Sequence, residues 1–298
     1  MATRCDCSLI IPTHNRPGAL DDTLSRLAEL PDRHFEIIVV DNASTENMTN
    51  VREHHPEVRW IDLPQNIAAA ARNIGAVAAR GHILFMLDDD SWPEDGTIER
   101  ALELFHRRLD LGATGCRSRL ADDSDKYDAD GLPGTFCSCG GVVRRSTFLE
   151  AGGLSFDFDS HADDDDLCCR ILRQGWKIEP HGDLLVWHRR GRIDCDNTRT
   201  LRLLTRNNLR LWRRYAPDAM QEEMLTATID RHERVAERQN ARDGFQAGMI
   251  DAESDVGPIH ARRLPLTTDQ FRDLFGLGTA ESALSTWADK GRIRRVAI

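Results

Sequence analysis

The segment HILFMLDDDSWPED, His82 to Asp95, decides how the rest of the chain is read. Ile83 to Leu87 is an almost uninterrupted apolar run, the pattern of a strand buried on both faces of a parallel sheet. It stops abruptly at three consecutive aspartates, Asp88, Asp89 and Asp90. In open α/β sheets, ligands sit just beyond the carboxyl ends of such strands. An Asp-x-Asp there offers hard oxygens to a divalent cation; Mg²⁺ commonly takes one or two protein carboxylates and fills its other positions with water and substrate phosphates. The ligand this implies is a metal-bound diphosphate. The same residues also fit a helix start, with Ser91 and Glu94 at capping-box spacing and Pro93 near the first turn. On that reading the aspartates only favour a helix N-terminus. Asp90 alone fits the cap, whereas three acids closing a buried strand favour the ligand.

Upstream, Cys7 to Ile11 is a first buried strand, followed by the loop Pro12-Thr13-His14-Asn15-Arg16-Pro17-Gly18 and a helix over Ala19 to Leu30. Phe35 to Val40 is a second strand, ending at Asp41-Asn42-Ala43-Ser44, so polar groups again gather at a carboxyl end. A helix over Glu46 to His55, a less buried strand over Val58 to Leu63 and an alanine-rich helix over Ile67 to Arg80 complete the approach. This β-α-β-α-β-α-β order specifies a mostly parallel, doubly wound α/β sheet with right-handed crossovers. No G-x-G-x-x-G follows the first strand, which argues against a dinucleotide-binding domain.

Downstream, a helix spans Ile98 to Leu109, and Leu120 to Gly134 is polar, aperiodic and rich in Asp and Gly, the pattern of a loop. Phe136 to Arg144 resumes as a strand broken by Gly140-Gly141, either a bulge or a place where a ligand comes close to the backbone. Asp163 to Asp166 open a helix. They suit either a solvated acidic first turn or a general base whose proton affinity is raised by like-charged neighbours. Asp183 to His188 is another apolar strand, ending in a side chain able to bind metal. A Leu- and Arg-rich helix over Thr198 to Tyr215 is closed by Pro217. Beyond it, Asp218 to Asn240 reads as a charged helix, Gly244 to Arg263 as a polar connector, and Leu266 to Ile298 as a small unit with a winged-helix-like rhythm. The domain division is 1–217, with a nucleotide-binding half (1–115) and an acceptor half (116–217), then a C-terminal helical extension (218–298).

The 298 residues carry 30% charged side chains and a formal net charge of -10, which opposes non-specific nucleic-acid binding through a basic face. No apolar run approaches the roughly 20 residues needed to span a bilayer, and the N-terminus lacks a signal peptide's apolar segment. The cytoplasm is the expected compartment. Eight cysteines without an export signal read as reduced thiols, and their spacings lack the paired C-x₂₋₄-C of structural zinc sites.

Taken together, LIIPTHNRP, IIVVDNAS, NIAAAARNIGA, ILFMLDDDSWP, GGVVRRSTFLEAGGL, DDDDLCCR and VWH resemble, in order and spacing, the inverting nucleotide-sugar glycosyltransferases of family 2, which have a GT-A fold. The resemblance covers roughly Cys7 to Pro217. It implies that Pro12, Thr13, His14 and Arg16 line the nucleotide pocket, that Asp41 accepts the imide hydrogen of the base, and that Arg72 approaches the same nucleotide. It places Asp88 and Asp89 on the ribose side, Asp90 and His188 on a bridging Mg²⁺ or Mn²⁺, and Gly140 and Gly141 beside the donor sugar. The family's acidic pair falls on Asp163 and Asp164, with Asp164 the general base.

Three departures stand out. The family's Asn-x-Gly is Asn66-Ile67-Ala68, aspartate replaces glutamate at 163, and residues 120–134 follow no family pattern. The implied activity moves a sugar from a nucleotide-sugar donor, UDP-sugar first by family habit, to a hydroxyl or amine of a small-molecule or carrier-bound acceptor. The competing readings are a metal-dependent nucleotidyltransferase and a non-catalytic nucleotide-sugar sensor; a homo-oligomer stays open.

Overall fold

The computed structural model describes residues 5–31, 34–121, 123–129, 139–158, 160–189, 197–254 and 263–277. The first half runs β1 (Cys7–Thr13), α1 (Pro17–Ala28), β2 (Phe35–Asp41), α2 (Thr49–His54), β3 (Arg59–Asp62), a 3₁₀ turn (Ala68–Ala70), α3 (Ala71–Ala78) and β4 (Ile83–Met86). It continues through β5 (Ser91–Pro93), α4 (Thr97–Arg107), β6 (Leu111–Gly115), β7 (Arg117–Leu120), β8 (Asp123–Ala129), β9 (Gly141–Arg144) and α5 (Arg145–Glu150). The remainder is α6 (Asp163–Arg173), β10 (Lys177–Ile178), β11 (Leu185–His188), α7 (Asn197–Tyr215), α8 (Asp218–Gln239), α9 (Arg242–Ser254) and α10 (Thr268–Phe275).

Seven strands form the main sheet in the order β10-β6-β9-β4-β1-β2-β3. All of them run parallel except β9, which pairs antiparallel with both β4 and β6. Strand periodicity divides the core. Leu9, Ile11, Val39, Phe85 and Leu87 pack with Leu20, Leu24 and Phe105 on one face. Ile10, Ile38, Val40, Leu84 and Met86 pack with Ala71, Ala76 and Leu167 on the other. Successive side chains thus feed opposite cores, as alternation along a pleated strand requires. Small residues let α3 lie tightly on the sheet: a Cβ at Gly75 would come within 2.6 Å of an Ile10 methyl.

A second sheet, β5-β11-β7-β8, stands beside the carboxyl ends of the first. Ser91-Trp92-Pro93, expected as a possible helix cap, is instead a strand paired antiparallel with Val186-Trp187-His188, and the helix begins only at Thr97 after Gly96. The expected loop at 120–134 contains β8, paired with β7, and its residues 130–134 lie outside the described region. The strand expected from Phe136 begins at Gly141, residues 136–138 also lying outside it.

Residues 244–254, expected within a polar connector, belong to α9, which packs on α7. That contact uses absent side chains, because a Cβ at Gly244 would lie 2.1 Å from the Thr198 carbonyl oxygen and one at Gly248 2.6 Å from that of Arg202. Met220, Met224, Leu266, Phe271 and Leu274 join the apolar cluster that holds Leu84 and Met86, so these side chains share the sheet's core. Trp212 stacks edge-on against Phe271 and Phe275, with centroids 5.6 and 4.8 Å away. The winged-helix-like end falls on residues 278–298, outside the described region.

Candidate active site

The loops after β1, β2 and β4 and the start of α6 surround a cleft of about 540 Å³. Pro12, Thr13, His14, Arg16, Arg72, Asp88, Asp89, Asp163 and Asp164 all line it. Side chains lace the rim together. The His14 ring bonds the Asn42 carbonyl (2.9 Å), and Asn42 in turn accepts from the Ile67 amide (2.8 Å) and donates to the Ala68 carbonyl (3.1 Å). Asn15, Ala43, Ala68, His161 and Ala162 all have positive φ, five of the six such non-glycine residues among those described. Backbone held in this sparsely populated region costs of order 1–3 kcal/mol per residue and gathers at functional sites. Ala68 occupies the family's glycine position and adopts glycine's conformation, φ 51°, so the departure leaves the turn's left-handed geometry in place.

The aspartate run occupies the gap between β4 and β5, and each carboxylate has its own partners. Asp88 pairs with Arg72, which also donates to the Leu87 carbonyl (3.1 Å). Asp89 accepts from Thr13 Oγ1 (2.8 Å) and Arg16 Nη1 (2.5 Å). Asp90 accepts from Arg16 Nη2 (2.6 Å) and lies 3.2 Å from His188 Nε2. Burial pushes the Asp89 carboxyl up to about 6 against the pull of Arg16 and Thr13. Burial also acts to raise Asp90, but His188 and Arg16 outweigh it and hold that carboxyl below the usual range.

His188 arrives from nearly 100 residues away because β11 pairs with β5, His188 opposite Ser91, and the Arg189 amide donates to the Asp90 carbonyl (2.8 Å). Cys139 arrives by the antiparallel β4–β9 ladder. Gly141 faces Met86 and the Gly140 amide donates to the Met86 carbonyl (2.8 Å), which carries Cys139 to Asp88. Ligand atoms of Asp88, Cys139 and His188 lie within 4.8 Å of one another, close enough for one cation to draw them together.

Asp163 to Asp166 have divided fates. Asp163, Asp164 and Asp165 face the cleft, with Asp163 buried and the other two partly exposed. Asp166 is fully buried; it accepts from Tyr215 Oη (2.7 Å) and from Arg170 Nε (2.9 Å) and Nη2 (2.5 Å). Burial, and then the Asp166 charge, push the Tyr215 phenol far above its ordinary value. Asn207 of α7 was not singled out from sequence. It donates to the Ser160 (2.6 Å) and His161 (2.9 Å) carbonyls and so fixes the turn into α6. An Asn-Asn pair in an Arg-rich helix carried no signal for this.

Asp90 and His188 sit against the aspartate run but are absent from the cleft lining, and two further expected groups lie elsewhere. Asp41 lines a neighbouring cavity of about 410 Å³ with Ser44, Arg52 and Asp62; its carboxylate accepts from the Ser44 amide (2.9 Å) and lies 3.4 Å from the Arg52 guanidinium. Gly140 and Gly141 are absent from the cleft lining. Gly140 instead has φ 92° and packs so closely that a Cβ would meet Val186 at 3.0 Å and Cys116 at 3.1 Å.

A mostly parallel sheet with acidic residues at its carboxyl edge and a smaller sheet beside them is the GT-A architecture of glycosyltransferases. A mannosyltransferase from Pyrobaculum calidifontis, solved with GDP-Man and Mn²⁺, superposes with a TM-score of 0.59 at 17% identity, covering 97% of this chain and 85% of that one. GalNAc-T7, solved with UDP, GalNAc and Mn²⁺, gives 0.63 at 13% identity over 86% of this chain and 58% of that one. Residues 8–150 match the model of glycosyl transferase family 2. An uncharacterized glycosyltransferase of Haemophilus influenzae is 24% identical over 65% of this chain and 72% of its own length. The uncharacterized glycosyltransferase YwdF of Bacillus subtilis is 34% identical over 52% and 63%. Among the described residues no helix is long and apolar enough to cross a membrane.

Proposed function

We propose that the chain is a metal-dependent, inverting glycosyltransferase that moves a sugar from a nucleotide diphosphate sugar, UDP-sugar first, to a hydroxyl or amine acceptor. The observation that carries the reading is the meeting of two acidic segments, Asp88–Asp89 and Asp163–Asp165, across one cleft. One set suits a nucleotide's phosphates and their cation; the other suits the acceptor's proton.

Asp164, with Asp163 beside it, removes the acceptor proton. The acceptor oxygen or nitrogen forms its bond to the anomeric carbon as the bond to the nucleotide diphosphate breaks, inverting that centre. Pro12, Thr13, His14 and Arg72 shape the nucleotide end, and Asp41 reads the base from the adjoining cavity. Asp90 and His188, 3.2 Å apart, with Asp88 close by, are the groups that would hold Mg²⁺ or Mn²⁺. When bound, such a cation neutralises charge gathering on the departing diphosphate. The acceptor is a small molecule or a carrier-bound one. The locus is cytoplasmic.

A panel of UDP-, GDP- and dTDP-sugars incubated with the chain and Mn²⁺ tests this, since water slowly replaces an absent acceptor. Release of free UDP is the expected result. Release of a sugar 1-phosphate would mark nucleotidyl transfer, and no product from any donor would leave a binding protein.

A further inference from the structure

The side chains around the aspartate run include a donor that suits a hard cation poorly. Mg²⁺ is held by oxygen ligands, whereas thiolate and imidazole favour borderline and soft metals such as Zn²⁺ and Co²⁺. Cys139 lines the cleft, is only 5% exposed, and has its sulfur within 4.8 Å of ligand atoms of Asp88 and His188. A Cys, a His and a carboxylate with the remaining side open to a cleft have the composition of a three-ligand zinc-type site with one position left for water or substrate. The cysteine spacings showed nothing of this, because the three ligands come from the end of β4, the start of β9 and the end of β11. The sheet ladders that bring them together are well defined, with Gly141 opposite Met86 and His188 opposite Ser91.

We infer that Cys139 is a direct metal ligand that turns this cleft from a Mg²⁺ site into one preferring Zn²⁺-class cations, with Asp88 and His188 as its partners. The inference rests on the proposed cation site and adds a sulfur–metal bond to it. On binding, the Cys139 thiol gives its proton to solvent and its sulfur takes a place on the metal, so occupancy rises with pH. Zn²⁺ should therefore displace Mn²⁺ from the cleft, whereas Mg²⁺ should not.

Co²⁺ is the probe, because a thiolate bound to it produces charge-transfer absorbance in the near ultraviolet. Titrated into the metal-free full chain, it should give a saturable band that disappears in Cys139→Ser and in Cys139→Ala. Calorimetry on both variants should still detect Co²⁺, bound about tenfold or more weakly, since even outer-shell losses cost 10- to 100-fold. Cys116→Ser, altered at a cysteine outside the triad, should keep the band. If Co²⁺ binds without the band, or the band survives in both Cys139 variants, the sulfur ligand is disproved; loss of that binding in His188→Ala would show that the cation site itself stands. Failure of Co²⁺ to bind at all would overturn the sulfur ligand and the cation site together.

Discussion

Asp164→Asn should lower turnover by about 10²- to 10⁴-fold, the usual reach of a general base, while leaving nucleoside diphosphate affinity near that of the unaltered chain. Asparagine keeps the shape and one oxygen of aspartate but cannot take a proton. Asp164 is the appropriate position because it is partly exposed in the cleft, at the opening turn of a helix whose entry is fixed by Asn207. Its neighbour Asp163 is more deeply buried, and Asp165 lines the same wall. Single-turnover transfer from a UDP-sugar, measured alongside UDP titration, separates the chemical step from binding. Unimpaired turnover in Asp164→Asn, with a collapse in Asp163→Asn, would move the base one residue back.

Asp166→Ala should behave differently, unfolding the chain more readily rather than stopping chemistry in a folded one. Its carboxylate is fully buried and joins Arg170, Tyr215 and, at 3.8 Å, Arg214. These partners lie on α6 itself and on α7, so the cluster ties the acidic helix to the helix beyond it. Removing one partner of a buried pair strands the other's charge and typically costs about 3–5 kcal/mol, a large part of the roughly 5–15 kcal/mol that keeps a domain folded. The urea midpoint should fall accordingly. A normal midpoint with lost turnover would instead make Asp166 part of the chemistry.

Much of this architecture was legible because strands buried on both faces announce themselves as apolar runs. Cys7–Ile11, Phe35–Val40 and Ile83–Leu87 each read correctly to within a residue or two at their ends. The misreadings have physical causes. Ser91–Pro93 carries a valid capping pattern, and only pairing with a strand almost 100 residues later makes it β. The helix Arg242–Ser254 looked like a connector because it meets α7 through Gly244 and Gly248, and a helix that packs by lacking side chains leaves no apolar stripe to read. Four consecutive aspartates are indistinguishable in a sequence; the helix turn gives three of them to the cleft and one to the core. Asp88, Asp89 and Asp90 stood out from sequence, whereas Cys139 and Asn207 gained their places only through long-range pairing and packing.

On this reading the converging carboxylates hold a nucleotide's diphosphate through a cation. Calorimetric titration of UDP with Mn²⁺ present, and again after its removal by chelation, tests this most directly. Mn²⁺ should tighten UDP binding about tenfold or more, at least about 1.4 kcal/mol, and Asp90→Ala should abolish this gain. Equal UDP affinity with and without the cation, or a full gain retained in Asp90→Ala, would contradict it.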